Sequence, residues 1–218
     1  MAGVCKAYAA GLALLCAGVM AAQQQRVAGT ASQSFDFYVL SLSWAPEFCA
    51  DPGQAARNPG ECSSSKPMNF VVHGLWPEVE HGRSPESCGK AEKVSRGLVH
   101  DLLPYMPSEA LINHEWATHG TCTGLSQKDY FTRVMLARAA VQPPVQITSI
   151  GQTEKDEVFR IESEFAGANP SFPEGAFRVD CRNNALTEVR VCFDKTLKGR
   201  ACPASLSDCK AGTITIRR

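Results

Sequence analysis

Ten cysteines in 218 residues constrain this chain more than any other feature. Usage that dense is unusual in a reducing cytosol and points to an oxidising compartment, where thiols pair. The N-terminus agrees. Residues 1–6 carry one positive charge, 7–20 form an apolar run, and the small Ala21 and Ala22 follow. That is the order of a secretory signal peptide with its cleavage site. A membrane anchor is disfavoured, because the run falls short of the ~20 residues a spanning helix needs and three glutamines follow at 23–25. A lipoprotein signal is disfavoured by Leu15 before Cys16, where a small residue is needed. Cleavage near Ala22 removes Cys5 and Cys16. It leaves Cys49, Cys62, Cys88, Cys122, Cys181, Cys192, Cys202 and Cys209. An even set in an exported chain reads as four disulfides whose pairing the sequence leaves open. A cysteine metal site is the weaker reading, since no Cys-x-x-Cys pair occurs.

Lys plus Arg and Asp plus Glu both number 22. A polyanion would therefore be gripped by local groups and not by an overall positive field. The chain is long enough for one sizeable core. It shows no repeat, linker or second composition zone. We expect a signal at 1–22, a flexible polar leader at 23–34 and a single domain at 35–218.

Alternation marks strands at 35–43 and 69–75, the second stopped by Pro77. Further strands are expected at 176–180 and 185–193, turning at Asn183-Asn184, with a last edge strand at 213–216. Residues 50–67 and 78–89 read as surface loops. Helices are expected at 90–103, 108–119 (ended by Gly120), 126–140 (ended by Pro143-Pro144) and 153–165. Strands and helices intermingle without a regular βαβ rhythm, so the class is α+β.

Two segments carry chemistry. In 70–77, FVVHGLWP, His73 leaves the end of an apolar strand before a Gly and a Trp-Pro stop. In 114–122, HEWATHGTC, Glu115 and His119 are four apart and share a helical face. Three of the chain's five histidines lie in these segments; the others are His81 and His100. A zinc protease motif needs His-Glu-x-x-His. Here one more residue intervenes and rotates the second imidazole by about 140°, so the metal reading is set aside.

Two histidines and a glutamate without metal suit general acid–base chemistry, one imidazole taking a proton while the other gives one. RNA contains such a reaction within itself. Its 2′-hydroxyl attacks the adjacent phosphorus once deprotonated, and its 5′-oxygen leaves once protonated. The intervening phosphorane needs stabilising donors. A serine-hydrolase reading lacks a Gly-x-Ser-x-Gly elbow, and paired cysteines leave no thiol nucleophile.

FVVHGLWP and HEWATHGTC together resemble the two active-site segments of the ribonuclease T2 family, the secreted acid endoribonucleases. The entry strand Tyr38-x-Leu40-x-Leu42-x-Trp44-x-Pro46-x-x-Cys49 and the cysteine spacing extend the resemblance over the chain from about Phe35. It implies an α+β fold with a central antiparallel sheet flanked by helices, stapled by Cys49–Cys62, Cys88–Cys122, Cys181–Cys209 and Cys192–Cys202. By the same resemblance, His119 is the general base and His73 the general acid. Glu115 stabilises the pentavalent phosphate, His114 binds phosphate and Trp76 stacks a base. The implied activity cleaves single-stranded RNA with little base specificity. It leaves 2′,3′-cyclic phosphate and 5′-hydroxyl ends, without metal or cofactor.

The implied protein is a secreted or periplasmic monomer with no stable protein partner and no membrane attachment. Trp116 is expected to be structural, Glu78 to lie where an acid can meet a base edge, and Leu111 where some relatives present an aromatic ring. One departure stands out: Thr118 occupies the position where the family commonly carries Lys. Arg83 or another cation would have to replace that charge. The alternative reading, a catalytically weak or silent storage or binding protein, draws its support from Thr118 alone.

Overall fold

The computed structural model describes residues 34–218 apart from 64, 66, 150, 204, 205, 207 and 208. The expected signal at 1–22 and the leader through residue 33 lie outside them. The strands are β1 (Phe37–Trp44), β2 (Phe70–Glu78), β3 (Glu154–Glu157), β4 (Phe177–Arg182), β5 (Ala185–Phe193) and β6 (Thr213–Ile216). The helices are α1 (Ala45–Phe48), α2 (Pro52–Arg57), α3 (Arg96–Leu102), α4 (Glu109–Thr118), α5 (Gln127–Ala139), α6 (Val145–Thr148) and α7 (Val158–Ala168). A 3₁₀ turn, Gly120–Cys122, succeeds α4.

The strands form one six-stranded sheet in the order β2-β1-β5-β6-β3, with β4 also paired to β5. Pairing is antiparallel except for the single parallel contact of β5 with β6, Ala185 to Thr215. The fold is α+β. Successive side chains of a strand point to opposite faces, and in β1 this alternation divides the residues between two clusters. Tyr38, Leu40, Leu42 and Trp44 enter the main core with Tyr130, Phe131 and Val134 of α5 and Ile161 and Phe165 of α7. Phe37 and Val39 belong to a second, smaller cluster with Cys192 and Cys202, against which Trp76 packs. Ser41 and Ser43 continue that second face.

Four disulfides staple the domain: Cys49–Cys62, Cys88–Cys122, Cys181–Cys209 and Cys192–Cys202. Cys88–Cys122 ties the loop after β2 to the turn beyond α4, so it braces the junction of the two motif-bearing segments.

The structure corrects several expected boundaries. Pro77 does not stop β2, which runs to Glu78 with Pro77 opposite Tyr38. This strand lies at the sheet's edge, where a missing N–H leaves no ladder bond unmade. The helix expected at 90–103 begins only at Arg96, because Ser95 caps it by accepting from the Leu98 N–H. Val94 stays extended, its N–H bonded to the Asn113 side chain. The helix expected at 153–165 is split. Residues Glu154–Glu157 pair with β6, and α7 starts at Val158 and continues to Ala168. That added strand also moves β6 inside the sheet and not to its edge. The loop at 50–67 contains α2, capped by Asp51.

Candidate active site

The residues of the two motifs meet on the sheet face opposite the main core. Along β1 and β2, Ser41 pairs with Gly74 and Leu42 with Val72, so His73 is a surplus residue without a partner, a β-bulge. Bulges re-aim a side chain out of the regular pleat. Val72 and Leu75 on either side go to the core, while His73 turns to the other face with a third of its side chain exposed.

Helix α4 supplies the rest. Ser108 caps it, and its last turn closes with the His119 N–H bonded to the Glu115 carbonyl. Glu115 is 1% exposed, a burial that a carboxyl tolerates only with partners. It has them. The Trp76 indole N–H donates to Glu115 Oε2 at 2.9 Å, and His73 Nε2 lies 3.6 Å from Glu115 Oε1. Gly74 makes this approach possible: a Cβ there would run into the Glu115 carboxylate and stand 2.7 Å from Trp76 Nε1. The Trp76 ring neighbours both imidazoles, its centroid 5.3 Å from that of His73 and 5.4 Å from that of His119. His114 is exposed on α4 and acts electrostatically on His119. The structure thus brings His73, Trp76, His114, Glu115 and His119 into one group.

Their surroundings push the two histidines apart. Burial, with the charges of His114 and His73, drives His119 down to about 4. Burial alone would also lower His73, but the hydrogen bond to Glu188 and the charges of Glu115 and Glu188 outweigh it and raise His73. Glu115 is pushed up to about 7 by burial, against the pull of His73 and the Trp76 hydrogen bond. At mildly acidic pH the group therefore holds a protonated His73, a neutral His119 and a protonated Glu115 carboxyl. Pairs of titratable groups driven in opposite directions mark an acid and a base.

Three residues of this group escape a reading of the sequence. Glu188 on β5 meets His73 Nδ1 at 2.6 Å. Arg190, two residues on, lies over the Trp76 ring at 5.5 Å and pairs with Asp180 at 2.8 Å. Glu61 is 5% exposed and is pushed up to about 7 by burial, against the pull of the His73 charge. The available signal is the alternation Glu188-x-Arg190 within a strand whose other residues, Thr187 apart, are apolar. Charges on one face of a strand with neighbours on both sides need partners.

Thr118 ends α4 and its carbonyl accepts from the Ser87 N–H. Arg190 is the cation brought to the group; Arg83 is 90% exposed and pairs with Glu86. Glu78, half-buried, accepts from the Ser84 hydroxyl and lines a cavity of about 370 Å³ with His81 and Arg190. Trp116 is 7% exposed in the core and Leu111 packs against it. Among the described residues no group of three or more His, Cys, Asp or Glu side chains is placed to hold a metal ion. Among them, too, no helix is long and apolar enough to cross a membrane.

Residues 35–202 match the model of the ribonuclease T2 family, and the chain belongs to that family. It is 43% identical over 96 residues to a ribonuclease of Aeromonas hydrophila, covering 44% of this chain and 41% of the relative. It is 28% identical over 191 residues to a probable ribonuclease of Haemophilus influenzae, covering 83% and 65%. The match thus spans under two thirds of the length of each of these relatives. Among solved structures, an RNase-related protein from Calystegia sepium superposes with a TM-score of 0.66 at 25% identity, over 84% of this chain and 97% of that one.

Proposed function

We propose that the protein is an endoribonuclease that cleaves single-stranded RNA by transphosphorylation, without a metal ion. The observation that carries this reading is that His73 and His119 lie 5.3 and 5.4 Å from one indole, with their protonation displaced in opposite directions. Neutral His119 takes the proton of the 2′-hydroxyl. The freed oxygen attacks the adjacent phosphorus, and protonated His73 gives its proton to the departing 5′-oxygen through Nε2. The products are a 2′,3′-cyclic phosphate and a 5′-hydroxyl end.

Glu115 lies beside His73 Nε2, and its raised protonation lets the carboxyl donate a hydrogen bond to the phosphorane oxygen instead of repelling it. His114 binds a phosphate from the exposed side of α4. Trp76, which keeps part of its ring exposed, stacks a base, an interaction worth ~1–3 kcal/mol. The mature chain works as a monomer after removal of residues 1–22, and its four disulfides support a place outside the cytoplasm.

The test is digestion of single-stranded RNA by the purified protein in EDTA, with the new ends identified. Cyclic phosphates and 5′-hydroxyls are expected. No cleavage, or cleavage only after metal is added, overturns the proposal.

A further inference from the structure

Glu188 stands two strands away from His73, with β1 between them, yet the two side chains touch. The contact exists because, at this end of the face, β1 offers only the small side chains of Ser41 and Ser43. Ser43 is the register partner of Glu188 and Ser41 that of Arg190, leaving a trough over the middle strand. The bulge then presents His73 at the trough's far wall. The carboxylate itself is fixed. Arg190 Nη2 lies 3.4 Å from Glu188 Oε2 and 2.8 Å from Asp180, and Ser43 Oγ lies 3.5 Å from Oε1. The Glu188 side chain is 13% exposed, so water screens this pair little.

We infer that Glu188 is a positioning residue for His73, fixing its ring through Nδ1 so that Nε2 faces the leaving oxygen as a proton donor. The inference rests on the proposed role of His73 as general acid. A carboxylate on Nδ1 holds one ring orientation and stabilises the imidazolium, as orienting acids do for histidines elsewhere. Burial works against the charge of Glu188, but the His73 bond and charge and Arg190 outweigh it and hold the group down at about 2. It is therefore ionised wherever the enzyme would work. The other groups facing His73 are Glu115 from α4, His119 at the end of α4, Glu61 from the loop before β2 and Arg190 from β5. Of these carboxyls, Glu61 and Glu115 are both pushed up to about 7, which leaves Glu188 as the fixed negative charge.

The test compares Glu188→Gln, Glu188→Asp and His73→Ala with the wild type on two substrates. One is a dinucleotide. The other is a nucleoside 3′-(4-nitrophenyl phosphate), whose leaving group departs without protonation. Glu188→Gln keeps the size and an acceptor but removes the charge. Its alkaline limb on the dinucleotide should fall by about one pH unit or more, a roughly 10-fold or larger loss above neutrality. The loss should be smaller near pH 5, and smaller still on the nitrophenyl ester. Glu188→Asp, one methylene short, should fall between. A proton NMR titration of His73 should show the same drop in its pKa whether or not turnover survives.

An unmoved limb and His73 titration, or equal losses on both substrates at every pH, overturn the inference. A His73→Ala variant equally impaired on both substrates would instead sink the general-acid reading on which it stands.

Discussion

The indole N–H of Trp76 donates to Oε2 of Glu115 at 2.9 Å, joining the end of β2 to the last turn of α4 across 39 residues of chain. This bond gives a buried carboxyl a donor and sets the plane of the ring that both imidazoles contact. Trp76→Phe keeps most of the ring and removes the donor. It should destabilise the fold by ~1–3 kcal/mol. Because the bond lowers the Glu115 pKa, its loss should raise that pKa further. Thermal unfolding and a carboxyl titration would check both.

Gly74→Ala tests the closeness of strand and helix. The added methyl would collide with the buried Glu115 carboxylate and crowd Trp76 Nε1. We expect a loss of about 1–3 kcal/mol in stability and a large loss of RNA cleavage. Near wild-type cleavage would show that Glu115 can move aside freely.

The pH profile of kcat/KM should be bell-shaped with its maximum in the mildly acidic range. The acid limb tracks His119, which must be neutral and loses its proton at about 4. The alkaline limb tracks the loss of protons from His73, raised above its ordinary 6.5, and from the Glu115 carboxyl at about 7, both of which must be protonated. Activity still rising through pH 9 would contradict the assignment.

His73→Ala and His119→Ala each remove one proton carrier and should reduce cleavage by about 10²–10⁴-fold or more. Single-turnover rates on a dinucleotide would measure it. Near-full activity in either variant would remove that residue from the reaction.

Glu61 predicts a stability effect of defined sign. Its folded pKa of about 7 lies above the ordinary 4.5, so the folded state keeps a proton that the unfolded state releases between those values. Folding is therefore penalised as pH rises through that window, by about 3 kcal/mol in full above it. Glu61→Gln should raise the melting temperature at pH 8 and change it little at pH 4. Equal shifts at both pH values would refute the buried-proton account.

The features legible in the sequence are local ones. His73, Glu115 and His119 sit in short segments whose strand and helix character is written in their own residues. The hairpin at Asn183-Asn184 shows in its turn residues, both at positive φ. The features that escape are set by distant pairing. Helical periodicity at 153–165 carries no trace of β6, about sixty residues on, which draws Glu154–Glu157 into the sheet. Glu188 reads as an ordinary strand charge, because its partner is 115 residues earlier and is reached only once β1 lies between them. The helix expected at 90–103 overshoots at its start, since a satisfied extended segment, held by Asn113, packs Val94 as well as a helix would.

The bulge at His73 has a consequence for how the sheet would tolerate the loss of that residue. On either side of the unpaired residue the ladder is regular, Val72 on Leu42 and Gly74 on Ser41. Excising that one position would let the edges rejoin with every neighbour still on its own side. The proposed proton donor thus occupies a surplus position in the ladder, and a chain lacking it should still assemble.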